Sequence, residues 1–339
     1  MRAIIPERYG RGTLRALVVS NMLPDAEHPE RGRFVRDQVA ALRELDELDV
    51  ELHEFDPGPR ALLRAAGELR RRFGAAPAAR ARRAPAFDVV HAHFGLTAWP
   101  SLALPARVHA LTVHGTDVRH PRSRLVTAAA LPLIDLLAAA SQPLVSELPG
   151  RAARARARVL PCGVDLERFR AIPRAQARAA LDLDPSAPYV LFAADPARAE
   201  KRHDRAVALA AAAGARLLTL GGVQPETVPL WVNAASAVLV TSEREGFGLA
   251  VLEALACEVP VLATPVGVHS EALDGLAGTL CAPFELRRWR EALQARLHDP
   301  DPRLEGGRER ASRFSARAMA SRVADAWRET LARSAQRSG

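Results

Sequence analysis

Residues 238–256 read VLVTSEREGFGLAVLEALA and join a short strand-like run, a glycine loop and a helix. The run up to Thr241 is apolar or β-branched, and the run after Gly248 consists mainly of strong helix formers. Gly246 and Gly248 have no Cβ, so a ligand can approach the backbone closely. The free N–H groups of a helix that begins near Leu249 attract an anion. The stretch therefore predicts a phosphate-binding loop at the end of a strand.

Two carboxylates accompany this loop, Glu245 within it and Glu253 on the first turns of the helix. A carboxylate on a phosphate-binding helix repels the phosphate. Glu253 is therefore better suited to accept hydrogen bonds from sugar or ribose hydroxyls. The alternative is a capped helix whose glutamates are solvated.

The rest of the chain repeats this alternation of short apolar runs with longer helical segments, the pattern of βαβ units around parallel sheets. We predict an α/β protein with two Rossmann-like domains that face each other across a cleft, with ligand at the carboxyl ends of the strands. The strands are expected at 14–20, 50–55, 89–93, 110–114 and 159–161 in the first half, and at 190–194, 217–220, 238–241, 261–264 and near Thr279 in the second.

The length of 339 residues, with 48% hydrophobic residues, is enough for two cores. The proline-punctuated segment 166–188 places the boundary after Asp165, which gives domains at 1–165 and 166–312. A helix at 308–333 has Phe314, Met319, Val323 and Trp327 close to one face and needs a surface to cover it. Residues 313–339 are therefore assigned to a C-terminal helix and tail, expected to cross back to the N-terminal domain.

Composition excludes several classes of protein. No apolar run is long enough to span a membrane, and the N-terminal residues lack the features of a secretory signal, so a cytoplasmic protein is expected. The three cysteines do not form a disulfide framework or a zinc motif. The net charge of +8 by itself does not indicate nucleic acid, because no motif or interleaved aromatic residues accompany it.

An ordered set of motifs covers nearly the whole chain: NMLP followed by GRFVRDQV, HAHFG at 91–95, TVHGTDV at 112–118, PCGVDLERF at 161–169, EGFGLAVLE at 245–253 and ALACEVPVLATPVG at 254–267. This set resembles family 4 of the retaining glycosyltransferases, which have the two-domain GT-B fold and use nucleotide-sugar donors. EGFGLAVLE is similar to the family's E-x7-E motif. The resemblance places Glu245 at the donor sugar and Glu253 at the ribose, with Gly246, Phe247, Gly248 and Leu249 also at the donor.

Lys201 is the one lysine among 47 basic residues, and it lies where the family usually has a lysine that binds the donor diphosphate. An ammonium there neutralises charge that builds on the leaving group. The family's Gly-Arg-Leu element reads Ala194-Asp-Pro196 here, so Arg198 becomes the candidate for the missing guanidinium. The alternative is that Lys201 and Arg198 are solvated charges at a helix start.

His114 ends a predicted strand and is followed by Gly115-Thr-Asp117, so it is expected to project into the cleft. The resemblance places this histidine beside the reacting sugar, with a neutral ring. Asp117 is the acceptor-side candidate, with two roles left open: it orients either the acceptor or the loop. His91 and His93 share one face of their strand and are interpreted as core or supporting histidines.

Other donor contacts follow from the resemblance alone. Gly32 is the candidate for the glycine near the donor phosphates, and the backbone near Val223 for the nucleobase, with UDP favoured. No GxGxxG motif is present in the first βα turn, which argues against a dinucleotide oxidoreductase. The triplet from Asp182 to Asp184 is interpreted as a helix end, so neither a metal nor a cofactor is predicted.

The leading hypothesis is thus a metal-independent retaining glycosyltransferase with a nucleotide-sugar donor and an unidentified acceptor. The alternative is a catalytically silent nucleotide-sugar-binding or scaffold protein. The basic segment from Arg60 to Arg83 also allows a peripheral contact with anionic lipid through a helix that carries Leu62, Leu63, Leu69 and Phe73. The favoured interpretation of that segment is a helix packed on the sheet with solvated arginines.

Overall fold

The computed structural model describes residues 13–74 and 85–338, in which eleven strands form two parallel sheets. The strands are β1 (Leu14–Ser20), β2 (Leu48–Glu54), β3 (Phe87–His93), β4 (Ala106–Val113), β5 (Leu136–Ala139), β6 (Arg158–Val159), β7 (Tyr189–Phe192), β8 (Arg216–Thr219), β9 (Ala237–Val240), β10 (Val261–Ala263) and β11 (Leu280–Cys281). The order is β2-β1-β3-β4-β5-β6 in the first sheet and β11-β10-β9-β7-β8 in the second. The predicted α/β class with two parallel sheets is confirmed.

Helices lie between most successive strands, because parallel neighbours need a crossover connection. They are α1 (Arg33–Arg43), α2 (Pro59–Phe73), α3 (Ala98–Ser101), α4 (Thr116–Arg119), α5 (Pro121–Ala130), α6 (Gln142–Glu147), α7 (Arg151–Arg156), α8 (Arg174–Ala180), α9 (His203–Ala213), α10 (Val228–Ala234), α11 (Leu249–Ala256), α12 (His269–Leu273), α13 (Leu286–Leu297), α14 (Gly307–Ser312) and α15 (Ala316–Ser338).

Each predicted strand has a counterpart, with ends displaced by at most four residues. β5 was missed, because it is a fully buried run of four apolar residues next to a helix of similar composition. Periodicity cannot distinguish a short buried strand from buried helix. β5 lies between β4 and β6, so its absence from the prediction left a gap in the first sheet.

The C-terminal helix does cross back to the first sheet. In α15, Met319, Val323, Trp327 and Leu331 are buried in one cluster with residues of β1 and α1. The continuous helix predicted at 308–333 is wrong, since α14 and α15 are separated by residues 313–315. Backbone bonds from Val164 N–H to the carbonyl of Phe314 and from Ala316 N–H to the carbonyl of Val164, both 2.8 Å, interrupt the helix there.

The two connections between the sheets therefore run side by side, one near residues 160–164 and one at 313–315. Gly163 lies so close to α15 that a Cβ on it would be 2.7 Å from the Cα of Ala316. The domain limits predicted at residues 165 and 312 lie beside these connections and stay a prediction.

The basic helix α2 packs its apolar side on the first sheet. Leu69 is fully buried, and Leu62 and Phe73 are partly buried against the same cluster. Of the four apolar residues named for lipid contact, only Leu63 is exposed, at 82%. This packing supports the favoured interpretation, a sheet-covering helix with solvated arginines. Arg80, Arg82 and Arg83 lie outside the described residues. No helix within residues 13–74 and 85–338 is long and apolar enough to cross a bilayer.

Candidate active site

A cavity of about 450 Å³ lies where the carboxyl ends of the two sheets face each other. Its walls come from the segments after β1, β3 and β4 on one side and after β7, β8 and β9 on the other, with the start of α11. Among the residues named from the sequence, it brings together His114, Arg198, Lys201, Val223, Glu245, Gly246, Phe247, Gly248, Leu249 and Glu253. Gly32 and Asp117 are not in its wall.

Lys201 and Glu245 form an ion pair at the centre of this wall. The Nζ atom of Lys201 donates to both carboxylate oxygens of Glu245 at 2.7 Å, and the Ser242 hydroxyl donates to one of them at 2.7 Å. The side chains are only 14% and 9% exposed. Burial by itself raises the pKa of Glu245, but Lys201, His269 and Ser242 outweigh it and hold the pKa below its ordinary value. The pair is therefore ionised, and the two residues act as one unit.

The turn that carries Lys201 is held by hydrogen bonds from Thr241 to its backbone carbonyls. The Thr241 hydroxyl, at the end of β9, lies 3.0 Å from the Lys201 carbonyl and 2.9 Å from the Arg202 carbonyl. A lysine ammonium has three donors. Lys201 therefore remains able to reach a ligand oxygen while it holds Glu245.

The glycine loop touches the opposite domain directly. A Cβ on Gly246 would lie 2.0 Å from the His114 carbonyl oxygen, so no larger residue fits. The Ser141 hydroxyl donates to the Gly246 carbonyl at 2.8 Å. Gly248 has φ +110°, and a Cβ there would meet Nε2 of the buried His269 at 2.4 Å. Both glycines are thus required by close packing, and Leu249 and Ala250 at the start of α11 line the cavity.

His114 is the first residue after β4 and lies at the opposite wall. Its ring stacks on His93 with a centroid distance of 5.1 Å, and Nε2 lies 3.0 Å from Nδ1 of His93. Burial, with a smaller effect from His91, lowers the pKa of His114 to about 3. The ring is therefore neutral at physiological pH, in agreement with the sequence-based expectation.

Two phenylalanines surround this histidine. Phe34 and Phe94 have ring centroids 4.8 Å and 4.7 Å from that of His114, and both line the cavity. Phe94 has φ +72°, a conformation that costs a bulky residue about 1–3 kcal/mol. Two apolar rings, one of them on a strained residue, thus lie next to His114.

Asp117 is turned toward its own loop. It is 3% exposed, and its oxygens accept backbone N–H groups from Gly95, His114 and Gly115 at 2.8–3.2 Å. Burial raises its pKa, and these hydrogen bonds oppose the rise. These contacts support the second role considered for Asp117, that of holding the loop that presents His114. Its acceptor-side role stays a prediction.

Glu253 lines the cavity near a charged pair that joins the two domains. Arg168 donates to both carboxylate oxygens of Asp37 on α1, at 3.1 and 2.6 Å. Burial raises the pKa of Glu253 to about 7; Arg168 opposes the shift and Asp37 adds to it. Asp37 also accepts from Arg33, whose other nitrogen reaches Glu226 of the second domain at 2.6 Å.

Three further candidates have clear positions. Arg198 lines the cavity with a half-exposed side chain that donates to Glu200 at 2.7 Å. Val223 follows Gly222 at the cavity wall after β8. Gly32 is the residue before α1 with φ +70°, and its neighbours Arg33 and Phe34, not Gly32 itself, line the cavity.

The Asp182 to Asp184 triplet follows the end of α8, and Asp184 accepts from Ser186, as expected for a helix end. Within the described ranges no three His, Cys, Asp or Glu residues are grouped to hold a metal ion. A reaction without metal or cofactor remains a prediction, and so does a cytoplasmic location.

Sequence reasoning missed Phe34, Asp37, Phe94 and Arg168 as parts of the cavity. All four lie inside the motifs quoted above, GRFVRDQV, HAHFG and PCGVDLERF. The motifs were therefore recognised, but nothing in them says which side chains turn toward the cleft. His91 and His93, at 1% and 0% exposure, are core residues as predicted.

Two family descriptions match the chain in succession, "Glycosyltransferase Family 4" over residues 24–168 and "Glycosyl transferases group 1" over residues 180–318. A D-inositol 3-phosphate glycosyltransferase of Nocardia farcinica is 32% identical over 308 residues, which cover 74% of this chain. The chain spans 66% of the length of that relative.

Solved structures share the fold at lower identity. Sucrose-phosphate synthase of Thermosynechococcus elongatus has a TM-score of 0.68 at 21% identity, covering 94% of this chain and 99% of its own. Anabaena HepE, solved in complex with UDP, has a TM-score of 0.64 at 16% identity, covering 92% and 99%. With two parallel-sheet domains, a cleft between them and both family descriptions matched in order, the chain belongs to family 4 of the glycosyltransferases and has the GT-B fold.

Proposed function

We propose that the chain is a retaining glycosyltransferase that moves a sugar from a UDP-sugar to a hydroxyl group of an acceptor, without a metal ion. The observation that carries the proposal is the composition of one cavity. The Lys201–Glu245 pair and the start of α11 face His114 across it, and Glu253 lies in the same wall.

The charges of the second domain favour one orientation of the donor. The diphosphate lies against the amides at the start of α11, with Lys201 and Arg198 as cations. Glu253 accepts the ribose hydroxyls, and the base lies near Val223. The UDP complex of Anabaena HepE, a protein of the same fold, supports a uridine nucleotide over others.

In the proposed reaction the bond between the anomeric carbon and the diphosphate oxygen breaks. A bond to the acceptor oxygen forms on the same face, and the acceptor proton leaves with the diphosphate. Negative charge grows on the diphosphate as it departs, and a positioned cation such as Lys201 typically contributes about 2.7–4 kcal/mol to such a step. Neutral His114 adds no positive charge beside the sugar, whose anomeric carbon becomes electron-poor.

A silent nucleotide-sugar-binding protein is the competing function. The lost Gly-Arg-Leu element favours it, since a guanidinium at that position is absent from the sequence. The intact Lys201, Glu245, Glu253 and His114 in one cavity, together with transferase relatives, favour the enzyme.

Nucleotide binding is tested by thermal unfolding with UDP, GDP and ADP. A nucleotide at 100 times its Kd adds about 2.7 kcal/mol of stability, so UDP is expected to raise the Tm most. Glu253→Ala should weaken UDP binding by about 1–3 kcal/mol, because the ribose hydroxyls lose a buried acceptor. Equal Tm values with all three nucleotides would contradict the donor assignment.

Transfer is tested by UDP release from a panel of UDP-sugars with and without acceptors, D-inositol 3-phosphate first because a relative carries that name. NMR of the product at early times gives the anomeric configuration, which should match the donor. Lys201→Ala is expected to lower turnover more than donor affinity, since the charge it meets grows in the transition state. UDP binding without release from any UDP-sugar would support the silent binding protein instead.

A further inference from the structure

Three imidazoles form a column from the core of the first sheet to the cleft. The rings of His91 and His93 stack with centroids 4.8 Å apart, and those of His93 and His114 with centroids 5.1 Å apart. At the inner end the Trp327 indole N–H of α15 donates to Nδ1 of His91. At the outer end His114 lines the cavity.

All three rings are neutral. Burial lowers the pKa of His91 and of His114 to about 3, and burial together with the two neighbouring histidines lowers the pKa of His93 well below its ordinary value. A neutral imidazole has one N–H and one acceptor nitrogen. A hydrogen bond whose donor is known therefore fixes which nitrogen of such a ring is protonated.

The order of donors runs outward from α1. The side-chain amide nitrogen of Gln38, a residue that is 6% exposed, lies 3.2 Å from Nε2 of His93. An amide nitrogen only donates, so Nε2 of His93 accepts and its proton is on Nδ1. That Nδ1 lies 3.0 Å from Nε2 of His114, which accepts in turn. The proton of His114 is then on Nδ1, the nitrogen left for a ligand.

We propose that Gln38 and His93 are positioning residues that hold His114 in the tautomer protonated on Nδ1, so that His114 presents a hydrogen-bond donor and not a base to the sugar. The inference rests on the proposed function for the identity of the ligand. A donating Nδ1 of His114 selects a donor sugar that has a hydroxyl or other acceptor oxygen next to that nitrogen. It also leaves the acceptor's proton to the departing diphosphate, because His114 has no free acceptor nitrogen.

The direct test is the protonation state of the ring nitrogens in the folded protein. Histidine labelled with ¹⁵N gives long-range ¹H–¹⁵N correlations that distinguish a protonated from an unprotonated ring nitrogen, and His114→Asn assigns the signals. We expect the proton on Nδ1 of His114 in the nucleotide-free protein. A proton on Nε2 overturns the proposal whether or not the protein turns over, so this result is independent of the proposed function.

Two variants test the consequence for turnover. Gln38→Met removes the donor with little change in volume, so both tautomers of His114 should appear in the spectrum. Holding a catalytic histidine in the wrong tautomer costs about 10⁴ in kcat in a serine protease, where the ring is the base. A mixture of the two tautomers of His114, which only donates, should lower kcat by less than this. We expect kcat to fall about tenfold with the Kd for UDP unchanged.

His93→Asn keeps a donor close to the position of Nδ1 and should retain more turnover than His93→Leu. The matched control is Val39→Ala, a neighbour of Gln38 on α1 that is buried in the core of the first sheet and forms no hydrogen bond to a histidine through its side chain. It should lose stability without changing kcat or the tautomer. A wild-type tautomer and kcat in both Gln38→Met and His93→Leu would overturn the proposal, and an equal loss of kcat in Val39→Ala would reduce it to a packing effect.

Discussion

Replacing Glu253 by glutamine should change how the stability of the protein depends on pH. Glu253 lies in the cleft wall, where burial raises its pKa to about 7, against 4.5 in the absence of the fold. Arg168 opposes the shift but is already engaged by Asp37. The folded protein therefore keeps a proton on Glu253 over a pH range in which the unfolded chain has lost it.

The sign follows from counting protons. Below pH 4.5 both states hold the proton, and stability does not depend on this group. Between pH 4.5 and about 7 the unfolded chain releases it while the folded protein keeps it, so the free energy of unfolding falls as pH rises. A shift from 4.5 to about 7 at about 1.4 kcal/mol per unit gives about 3 kcal/mol. Because Glu253 is partly open to cleft water, this is an upper limit.

The assay is urea unfolding of wild type and Glu253→Gln across that range, without nucleotide. Glutamine resembles the protonated acid and does not titrate, so the difference between the two curves isolates this carboxyl. Wild type should lose up to about 3 kcal/mol relative to the variant as pH rises through the window. Glu291→Gln, an exposed position on α13, is the control and should run parallel to wild type. Parallel curves for Glu253→Gln as well would refute the reasoning, since Glu253 would then titrate like an ordinary glutamate.

Three other perturbations have defined outcomes. Lys201→Met leaves the Glu245 carboxylate buried without its cation and should lower the free energy of unfolding by about 3–5 kcal/mol. Adding Glu245→Gln should recover part of this stability in chemical denaturation but no activity. Wild-type stability of Lys201→Met would show that the pair is not buried as described. His114→Ala should remove most transfer while calorimetry finds UDP affinity nearly unchanged, and a loss of UDP binding would place the ring at the nucleotide instead. Phe94→Gly should be more stable than Phe94→Ala by about 1 kcal/mol, because both lose the ring but only glycine adopts φ +72° without strain; equal denaturation midpoints would argue against stored strain.

Much of the site was predictable because a strand, a glycine loop and a helix follow each other without interruption between residues 238 and 256. Local order of this kind fixes where Gly246, Gly248 and Glu253 lie relative to the strand end. A single lysine in a chain rich in arginine also marked Lys201 as exceptional. These features depend on neighbours in sequence, which a sequence displays directly.

The contacts that give the site its charges were not predictable, because they join distant parts of the chain. Lys201 and Glu245 were assigned to separate parts of the donor, and only the fold shows that they bind each other across 44 positions. Arg168 and Asp37 are 131 positions apart. For Asp117 the sequence left two roles open, orienting the acceptor or the loop, and only the fold shows that its carboxylate accepts the backbone N–H groups of Gly95, His114 and Gly115.

The return of α15 to the first sheet has a consequence for the order of folding during synthesis. The ribosome delivers β1 to β6 first, but the helix that covers Val18, Val39 and Val50 emerges only after the second sheet. Until then this apolar face of the first sheet is covered by α1 alone, and the part that α15 will cover stays exposed while the whole second sheet is being made. Such exposed surface is prone to aggregation and is a binding site for chaperones. A chain that stops before Ala316 would thus fail at the domain made first, although every residue of that sheet had been translated.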